Sequence, residues 1–395
     1  MNEPLRILYH HRIRADDGQA VHVRELIEAL RSIGCEVREC ALVPKSGSAR
    51  GAGPAGGRGF WSRLRLPRVL LELLEIAYSF RARRVLAREI RAFRPHLLYE
   101  RHALHCHAGL DAAAVAGIPL FLEVNSPMVD EMATLGLLRF GRRARATERR
   151  VLAGATRVFA VSDVLARMLA ERGAIASRLE VVRNGAEPSR CSAGAKAAAA
   201  GLRGAMGLPH GAFVLGFIGY ARDWHRLDLV LDAMREPGLE TLHLLVVGSG
   251  PALAGLSARA AADGLAGRLH LVGEQPAGRV PEHVLAMDAT LVPAINPYAS
   301  PLKLFDALAA GIPVIAPDQP NIRELLAHDC TGLLFREGDA TSLAEQIGRL
   351  VNDRTAAQRL GQAGRELLLR EDWTWSGNAR RVVRAYAGLG GGNRP

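Results

Sequence analysis

Tyr298-Ala-Ser-Pro-Leu-Lys-Leu-Phe-Asp306-Ala-Leu-Ala-Ala-Gly-Ile-Pro-Val-Ile-Ala316 is the segment that decides the fold. Its polar loop ends at Ser300-Pro301, which starts a helix well because proline in the first helical turn loses no hydrogen bond. Gly311-Ile-Pro313 then ends the helix, and the apolar run that follows has the length of a buried strand. The segment therefore predicts a loop, a helix and a buried strand, in that order.

The same alternation of short apolar runs and helical patterns extends in both directions from this segment. Alternating strands and helices are typical of parallel sheets with helices on both faces. The predicted fold class is α/β, with two Rossmann-like domains facing a central cleft. The predicted strands cover residues 7–9, 37 onward, 96–99, 119–124, 157–161 and 179–182, then 213–218, 242–247, 268–272, 289–292, 314–316 and 332–335.

The chain has 395 residues, which is enough for two or three domains. Asn184-Gly185 is followed by an alanine- and glycine-rich stretch over 192–200, which predicts a linker or a weak helix. We therefore expect an N-terminal domain over 1–190, a linker over 191–208 and a C-terminal domain over 209–372. The glycine-rich residues 388–395 are expected to be a disordered tail.

Composition excludes several classes of protein. Apolar residues make up 49% and charged residues 23%, which argues against wholesale disorder. No run approaches the roughly 18 apolar residues of a membrane span, and the N-terminus has no signal-peptide core, so we expect a cytoplasmic protein. The five cysteines are odd in number and include no Cys-x-x-Cys, which favours free thiols over a disulfide framework or a zinc finger.

The net charge of +11 is concentrated in two windows. Residues 58–94 carry ten arginines against three glutamates, and residues 139–150 carry six arginines against one glutamate. In the first window, apolar residues such as Trp61 and Leu70 alternate with arginines, as in an amphipathic helix on an anionic membrane. Residues 58–94 and 139–150 are therefore candidates for peripheral contact with the inner face of the cell membrane. The alternative is a solvated basic face on a helix packed into its own domain. A nucleic-acid interface is disfavoured because no recognition motif accompanies the charge.

Ligands of open parallel sheets bind beyond the carboxyl ends of the strands, which directs attention to the loops there. The helix start at Ser300, Pro301, Leu302 and Lys303 offers free N–H groups and one cation, and would hold an anionic diphosphate. Asp306, one turn later, could accept hydrogen bonds from ribose hydroxyls. The alternative for Lys303 and Asp306 is a pair on a solvated helix face.

Two glycine motifs also follow predicted strands. Gly18 precedes a helix and would let a phosphate approach backbone N–H groups, although a plain turn explains it equally well. Gly248-Ser-Gly250 suggests a dinucleotide fingerprint, but Leu253 occupies the third glycine position. A nicotinamide or flavin site is therefore disfavoured.

The opening segment resembles the donor-site signature of family 4 glycosyltransferases of the GT-B type. In that family two acidic residues stand eight positions apart before a Gly-x-Pro-Val run; Asp306 matches the second, and Tyr298 stands at the first. The Ser-Pro-x-Lys-x-Phe sequence is similar to one branch of the family. Further resemblances extend over nearly the whole chain: Gly18 with His22, Val161-Ser162, Val182-Arg183-Asn184-Gly185, Ile218-Gly219 to Leu231, and Asp372-Trp373.

The segment from Ile218 resembles the phosphate loop of this family, with substitutions. Tyr220 stands where arginine is common, His225 where lysine is common, and Arg226 where glycine is common. Trp224-His225 is similar to a Trp-His-Gly variant, so Arg222, His225 and Arg226 are the candidates for phosphate binding. For His225 the alternative is a helix-cap or packing role.

In the first domain, Asn125 stands where many family members have a histidine near the transferred sugar. With Gly18 it is our candidate catalytic residue, although an amide cannot act as a base near neutral pH. Four more polar residues are candidates for the acceptor side: His22, Arg101, His102 and Glu123. They lie near predicted strand ends or on the helix after the first strand. The alternative is that they are ordinary polar groups at the ends of strands.

Only one stretch is rich in potential metal ligands, namely His102, His105, Cys106 and His107. No carboxylate pair of suitable spacing accompanies it, so metal binding is disfavoured. The sequence also lacks Asp-x-Asp, and the family resemblance implies no obligatory metal. We expect no cofactor, with a nucleotide diphosphate sugar as co-substrate.

The resemblance implies a hexosyltransferase that moves a sugar, with retention of configuration, to a hydroxyl of a saccharide or lipid-linked saccharide. Such a reaction would serve polysaccharide or glycolipid biosynthesis. The resemblance also implies a C-terminal helix over 373–387 that crosses back to the first domain. The alternatives are a GT-B-like nucleotide-sugar epimerase and an inactive membrane-peripheral scaffold, the latter suggested by Tyr298, Tyr220 and Asn125.

Overall fold

The computed structural model describes residues 3–13, 18–41 and 67–390. The chain divides into two compact units: Met1–Val182 together with Ala379–Pro395, and Arg183–Asn378. Each unit contains a six-stranded sheet in which every pair of neighbouring strands is parallel. Two parallel sheets with helices confirm the predicted α/β class.

The first unit has the strand order β2-β1-β3-β4-β5-β6. Its strands are β1 (Arg6–His11), β2 (Glu36–Ala41), β3 (Leu97–Arg101), β4 (Leu120–Val124), β5 (Arg157–Ala160) and β6 (Leu179–Val181). Its helices are α1 (Gly18–Ser32), α2 (Arg68–Phe93), α3 (Ala108–Ala116), α4 (Met128–Thr134), α5 (Gly141–Gly154) and α6 (Asp163–Glu171).

The central strands β3 and β4 are buried along their whole length. This burial explains their nearly continuous apolar sequences, because helices cover both faces of a parallel sheet. Polar side chains enter only at their carboxyl ends, where Arg101 and Glu123 lie opposite each other in the β3–β4 register. Helix α1 buries one face that includes His22, Val23 and Leu26. The fold therefore gathers polar side chains at one end of this sheet.

The second unit has the strand order β12-β11-β10-β7-β8-β9. The helix α7 (Ala193–Ala205) precedes its strands, which are β7 (Phe213–Ile218), β8 (Leu242–Val247), β9 (Leu269–Gly273), β10 (Ala289–Leu291), β11 (Val314–Pro317) and β12 (Leu333–Phe335). The remaining helices are α8 (Asp228–Ala233), α9 (Ala252–Ala262), α10 (Val280–Leu285), α11 (Leu302–Ala310), α12 (Pro320–Arg323), α13 (Ala340–Asn352), α14 (Arg354–Arg370) and α15 (Trp375–Ala387).

The loops that follow β7 and β8 are joined backbone to backbone. Gly219 N donates to Val247 O at 2.9 Å, and Ala221 N donates to Ser249 O at 2.7 Å. Gly248 and Gly250 have positive φ, and a Cβ on either would collide with the backbone of the other loop. The Gly-Ser-Gly sequence is therefore explained by close approach of two loops, without a dinucleotide.

The domain boundary lies at Val182, earlier than the predicted residue 190. The next residues bond within the second unit: Asn184 Nδ2 donates to Ser300 O at 2.6 Å, and Ala186 N donates to Trp373 O at 3.2 Å. The predicted linker over 191–208 contains helix α7, whose N-cap Ser192 accepts a hydrogen bond from Ala195 N. The Ser192 cap thus stabilises the start of a helix whose alanine- and glycine-rich sequence has only a weak helical periodicity.

The C-terminal segment begins in one unit and ends in the other. Helix α15 starts at Trp375, and the chain from Ala379 onward belongs to the first unit, where the Tyr386 ring lies 6.4 Å from the His96 ring. Residues 388–390 form a turn, in which Gly388 N donates to Arg384 O at 2.9 Å. The rest of the predicted tail lies outside the described residues, as do residues 58–66 of the first basic window.

Candidate active site

Each sheet has one place where the chain order reverses, between β1 and β3 in the first unit and between β7 and β10 in the second. Ligands of open α/β sheets bind beyond the carboxyl ends of the strands at such a switch point. Most of the predicted site residues follow these strands, and they form two groups. We call Arg222, His225 and Lys303, with Gly219, the Lys303 cluster, and His22, Arg101, Glu123 and Asn125 the Glu123 cluster.

Lys303 lies in the first turn of α11, which follows β10. Its Nζ lies 3.8 Å from the centroid of the Phe217 ring, and a Cβ added to Gly219 would lie 3.7 Å from the same nitrogen. No carboxylate in the described part of the chain pairs with this amine. Burial lowers the pKa of Lys303 to about 7. The second unit thus has a cation without a counter-ion at its switch point.

His225 is a buried, neutral side chain beside Lys303. Its Nδ1 accepts a hydrogen bond from Arg222 N at 3.1 Å, and its ring stacks on Trp224 with centroids 3.8 Å apart. Burial, together with the charges of Lys303 and Arg222, lowers the pKa of His225 to about 3. Because Nδ1 accepts, the neutral ring carries its proton on Nε2. His225 therefore has the cap and packing role that the sequence left open, with one N–H to donate.

The two arginines predicted for the phosphate loop differ in their partners. Arg226 has a left-handed conformation (φ 54°) and pairs with Asp228, with Nη2 to Oδ2 at 2.9 Å and Nε to Oδ1 at 3.0 Å. Arg222 lies over the Tyr220 ring at 5.4 Å and pairs with no carboxylate of the described residues. The charge of Arg226 is already neutralised, whereas that of Arg222 is available to a ligand.

Ser300 anchors the loop before α11 instead of presenting its hydroxyl. Its buried Oγ accepts a hydrogen bond from Asn184 N at 3.3 Å. Pro301 is the N-cap of α11, and the first helical bond runs from Leu304 N to Pro301 O at 3.1 Å. The backbone N–H groups of Leu302 and Lys303 precede that bond, so they have no acceptor within the helix and can donate to a ligand.

Asp306 follows Lys303 by one turn of α11 and is partly exposed. Burial raises the pKa of the Cys191 thiol, and the nearby Asp306 charge raises it further. Asp306 therefore lies near the chain around Cys191. Gly18 is the exposed first residue of α1, and the residues before it lie outside the described ranges.

In the first unit, Glu123 joins three of the other predicted residues. Its Oε1 accepts hydrogen bonds from Arg101 Nη1 at 2.6 Å and Asn125 Nδ2 at 2.5 Å. Its Oε2 lies 3.0 Å from His22 Nε2. Four residues predicted separately from the sequence thus form one buried cluster.

Two tyrosines complete the surroundings of this carboxylate. Tyr99 Oη donates to Glu123 Oε2 at 2.9 Å and Tyr9 Oη donates at 3.3 Å, and the two rings stack with centroids 4.8 Å apart. Burial raises the pKa of Glu123, but the charges of His22 and Arg101 and the hydrogen bonds outweigh it and hold the pKa well below its usual range. Glu123 is therefore a carboxylate fixed by five donors.

The histidines after β3 are separate from one another in their contacts. His102 is buried, burial lowers its pKa to about 4, and its Nδ1 has no partner among the described residues. His105 Nε2 lies 2.8 Å from Glu72 Oε1, and His107 Nδ1 lies 2.8 Å from Asp111 Oδ2. In the described ranges no group of three potential ligands could hold a metal ion.

Comparison with known families assigns both halves of the chain. The model described as Glycosyltransferase Family 4 matches residues 17–190, and the model described as Glycosyl transferases group 1 matches residues 202–367. The chain belongs to glycosyltransferase family 4, of the GT-B type. The resemblance drawn from the opening segment is confirmed.

Individual relatives match parts of this glycosyltransferase. It is 30% identical to a D-inositol 3-phosphate glycosyltransferase of Nocardia farcinica over 61% of the chain and 54% of the relative. It is 28% identical to a 2-deoxystreptamine glucosyltransferase of Streptomyces kanamyceticus over 67% of the chain and 69% of the relative. The match thus spans about half the length of the Nocardia protein.

Solved structures of similar fold cover nearly the whole chain. Anabaena HepE in complex with UDP has a TM-score of 0.71 at 17% identity, covering 97% of this chain and 100% of HepE. Sucrose-phosphate synthase of Thermosynechococcus elongatus has a TM-score of 0.74 at 20% identity, covering 98% and 99% of the two chains. At these identities the likeness shows the fold of the glycosyltransferase.

Sequence reasoning missed several residues of these clusters. Phe217, Tyr9 and Tyr99 lie in buried strands and are indistinguishable there from ordinary core residues. A second buried pair was also missed: His10 Nδ1 lies 2.6 Å from Glu100 Oε2, while His10 Nε2 lies 3.1 Å from Tyr78 Oη. The only available signal was a charged or imidazole side chain at the end of an otherwise apolar strand.

Proposed function

We propose that this glycosyltransferase moves a hexosyl unit, with retention of configuration, from a nucleotide diphosphate sugar to a hydroxyl of a saccharide or lipid-linked saccharide. The Lys303 cluster carries the proposal. It combines a cation without a counter-ion, a second unpaired cation in Arg222 and the first amides of α11 at one switch point. This combination suits a diphosphate, since helix N-termini and cations both favour phosphate oxygens.

On the donor side, Lys303, Arg222 and the amides of Leu302 and Lys303 bind the two phosphates. The Nε2 proton of His225 is a neutral donor to a phosphate oxygen. Asp306 accepts hydrogen bonds from ribose hydroxyls. In the first unit, Gly18 at the start of α1 lets a phosphate approach the backbone N–H groups there. Stabilising the charge that develops on the leaving diphosphate is the main contribution to rate.

On the sugar side, Glu123 positions Asn125, His22 and Arg101. Because Asn125 cannot take a proton, the acceptor hydroxyl loses its proton to the leaving diphosphate as its oxygen bonds to the anomeric carbon and the carbon–phosphate oxygen bond breaks. Neutral His102, whose buried Nδ1 has no partner among the described residues, is the proposed hydrogen-bond partner of an acceptor hydroxyl. No metal or cofactor takes part, so EDTA leaves the initial rate unchanged.

We also propose that the acceptor is lipid-linked and that the first unit contacts an anionic membrane surface. Helix α2 exposes five apolar side chains, each 41–54% exposed: Val69, Leu70, Leu73, Leu74 and Phe80. Exposed arginines at 68, 81, 83 and 84 accompany them. Apolar side chains bordered by arginines fit the interface of an anionic bilayer. None of the helices in the described ranges has the length and apolar character to cross a membrane.

Hydrogen bonds of Glu72 in α2 connect the two basic windows, residues 58–94 and 139–150. Its carboxylate accepts hydrogen bonds from Arg139 N at 2.6 Å and Phe140 N at 2.9 Å, immediately before α5. The second half of α2 instead buries Ala82, Leu86 and Ile90. The helix therefore buries apolar side chains in its second half and exposes most of those in its first half, which supports membrane contact over a merely solvated basic face.

Donor binding tests the proposed function first. Thermal shifts are measured with uridine, guanosine and adenosine diphosphates and their hexose conjugates, since a ligand of the native state raises its apparent stability. We expect one nucleotide series to stabilise the protein, and Lys303→Met to abolish the shift while Lys196→Met leaves it intact. The absence of any shift with folded protein would contradict the transferase and favour the inactive scaffold. Donor turnover without an acceptor would favour the epimerase.

Membrane contact is tested by flotation with vesicles of phosphatidylcholine alone and with added phosphatidylglycerol. We expect the protein to float only with the anionic vesicles, and Leu73→Glu with Leu74→Glu to abolish flotation. Leu369→Glu is the matched control, because Leu369 of the second unit is also an exposed apolar residue. Equal flotation of the α2 variant and the control would contradict membrane contact through α2.

A further inference from the structure

Two aromatic side chains in the loop after β7 are exposed, and the phosphate contacts proposed above do not use them. Tyr220 is 47% exposed and Trp224 is 44% exposed, whereas Trp373 and Trp375 of the same unit are buried. Sites for small molecules combine aromatic side chains with a few well-placed polar groups. We therefore ask which part of a ligand these two rings could contact.

The backbone of this loop, residues 220–224, is fixed through Ala221. Ala221 is fully buried, its N donates to Ser249 O at 2.7 Å, and its O accepts a hydrogen bond from Ala252 N at 3.2 Å. The other four residues of the loop are all exposed. Because the backbone is already held in place, contact with a ligand orders little further chain and loses little entropy. We call residues 220–224 the aromatic loop.

Each of the two rings has one face covered by a neighbour in the chain. The Trp224 ring stacks on His225 with centroids 3.8 Å apart and an angle of 27° between the planes. His225 is itself held by the hydrogen bond from Arg222 N at 3.1 Å. The Arg222 guanidinium lies 5.4 Å from the centroid of the Tyr220 ring. The exposed area of each ring therefore lies on its other face and its edges, where a flat apolar partner can stack.

The charges of the aromatic loop indicate what kind of partner fits beside Trp224. Asp223 is exposed, and its carboxylate has no partner among the described residues. A carboxylate repels a phosphate, but it accepts hydrogen bonds from hydroxyl groups. A pyranose has both features that this surface requires, because one face of its ring carries C–H groups and its edges carry hydroxyls.

The proposed donor contacts indicate which sugar of the ligand comes close to this surface. The two phosphates are assigned to Lys303 and Arg222, and the ribose to Asp306 on α11. The hexose is bonded through a single oxygen to the phosphate at the opposite end of the diphosphate from the ribose. Since α11 takes the ribose, the hexose is left to the loop after β7, where the Tyr220 ring lies against the guanidinium of Arg222.

We propose that Tyr220 and Trp224 bind the hexose of the donor by stacking on its C–H face, while Asp223 accepts hydrogen bonds from its hydroxyls. The inference rests on the proposed function, because it requires the diphosphate at Arg222. Tyr220 then supplies a contact to the sugar at a position where the family resemblance leads one to expect arginine. The aromatic loop is accordingly a specificity-determining element for the hexose and not for the nucleotide.

Titration calorimetry without an acceptor tests this assignment with a cycle of two ligands and several variants. The ligands are the nucleoside diphosphate that gives a thermal shift and its hexose conjugate. We expect Trp224→Ala and Tyr220→Leu each to lower the affinity for the conjugate by about three- to tenfold, and the affinity for the diphosphate by less than about twofold. Trp224→Phe, which keeps an aromatic ring, should retain most of the affinity. Leu369→Ala, at another exposed apolar residue of the second unit, is the matched control and should change neither affinity.

The outcomes separate this inference from the proposed function. An equal loss for both ligands in either variant would mean that the ring contacts the nucleotide, and would overturn the assignment to the hexose. Unchanged affinities for both ligands would overturn it as well, and in both cases the donor site itself would stand. Absence of binding by the diphosphate and its conjugate to the unmodified protein would instead contradict the proposed function.

Tryptophan fluorescence provides a second measurement, which does not depend on the folding of the alanine variant. The chain has four tryptophans. With Trp61→Phe, only Trp224 is exposed among the three that remain, since Trp373 and Trp375 are buried. We expect the hexose conjugate to shift the emission towards shorter wavelength, and the diphosphate alone to leave it nearly unchanged. The same shift with both ligands, or no shift with the conjugate at saturation, would overturn the inference.

Discussion

Asn125 donates from Nδ2 to Glu123 Oε1 at 2.5 Å, which fixes the direction of the Asn125 amide. The carboxylate accepts only, so the amide must turn its nitrogen towards Glu123 and its oxygen away. The same carboxylate holds Arg101 and His22. The positions of Asn125, Arg101 and His22, which we propose for the sugar side, thus depend on one carboxylate that hydrogen-bond donors enclose.

Replacing Glu123 by glutamine should destabilise the first unit strongly. The variant keeps the size of the side chain but leaves the buried Arg101 cation without its carboxylate, which costs about 3–5 kcal/mol. Urea unfolding followed by circular dichroism measures the change. Tyr9→Phe is the control, since it removes one long hydrogen bond of 3.3 Å and should cost no more than about 1 kcal/mol. Similar costs for the two variants would contradict the central role of Glu123.

Arg222 and Arg226 should respond differently to substitution by alanine, although they are four positions apart in one loop. Arg222→Ala removes an unpaired cation and should weaken diphosphate binding by about tenfold. Arg226→Ala removes a cation already paired with Asp228 on the surface, so its effect should stay within about twofold. Calorimetric titration with the stabilising nucleotide compares them. A larger loss for Arg226→Ala would reverse the assignment.

Lys303→Met should raise the stability of the second unit most at low pH. The folded pKa of Lys303, about 7, lies below its unfolded value, so below pH 7 both states are protonated and folding buries a charge at full cost. As the pH rises above 7 the folded amine becomes neutral, and the advantage of methionine shrinks by about 1 kcal/mol per pH unit. Urea unfolding of both proteins at pH 6, 7, 8 and 9 measures this. A difference independent of pH would mean that Lys303 keeps its proton.

Glu72→Gln should loosen the connection between α2 and the start of α5. Burial raises the pKa of Glu72, but hydrogen bonds from Arg139 N, Phe140 N and His105 outweigh it and lower the pKa below its usual value. The ionised carboxylate therefore stabilises the fold above its unfolded pKa, and this stability is lost as the pH falls through the lower folded pKa.

At pH 7 we expect Glu72→Gln to cost about 1–3 kcal/mol, measured by urea unfolding. Glu75→Gln on the same helix is the control and should change stability by less than about 0.5 kcal/mol. The difference between the two variants should shrink as the pH is lowered from 7 towards 3. A cost that does not change with pH would mean that the contribution of Glu72 does not depend on its charge.

Much of the fold and the residue types of both clusters could be predicted from the sequence. Strand and helix periodicity located both sheets, because parallel strands buried on both faces have unmistakable apolar runs. The switch-point rule then directed attention to Glu123 and Lys303. Helix α7 was harder to predict, because its alanine-rich sequence is stabilised by the Ser192 cap rather than by a strong pattern.

The hydrogen-bond and ion-pair partners of a side chain could not be predicted from the sequence where they depend on the local backbone conformation. The left-handed conformation of Arg226 turns its guanidinium to Asp228, and the cap on Arg222 N makes His225 an acceptor at Nδ1. Neither feature has a signature in residue spacing. Phe217 reads as a core residue because its sequence neighbours are core residues, yet one face of its ring contacts Lys303.

The backbone bonds between the loops after β7 and β8 make them a single exchangeable piece of the molecule. Gly248 and Gly250 fit only against the path that residues 219–221 take, and Gly219 in turn sets the space beside Lys303. Grafting either loop alone from a relative with another donor preference would displace its partner. If residues 219–226 and 248–251 are transplanted together, the contacts between the two loops are preserved. These two segments are therefore the smallest pair to exchange in order to change the proposed donor preference.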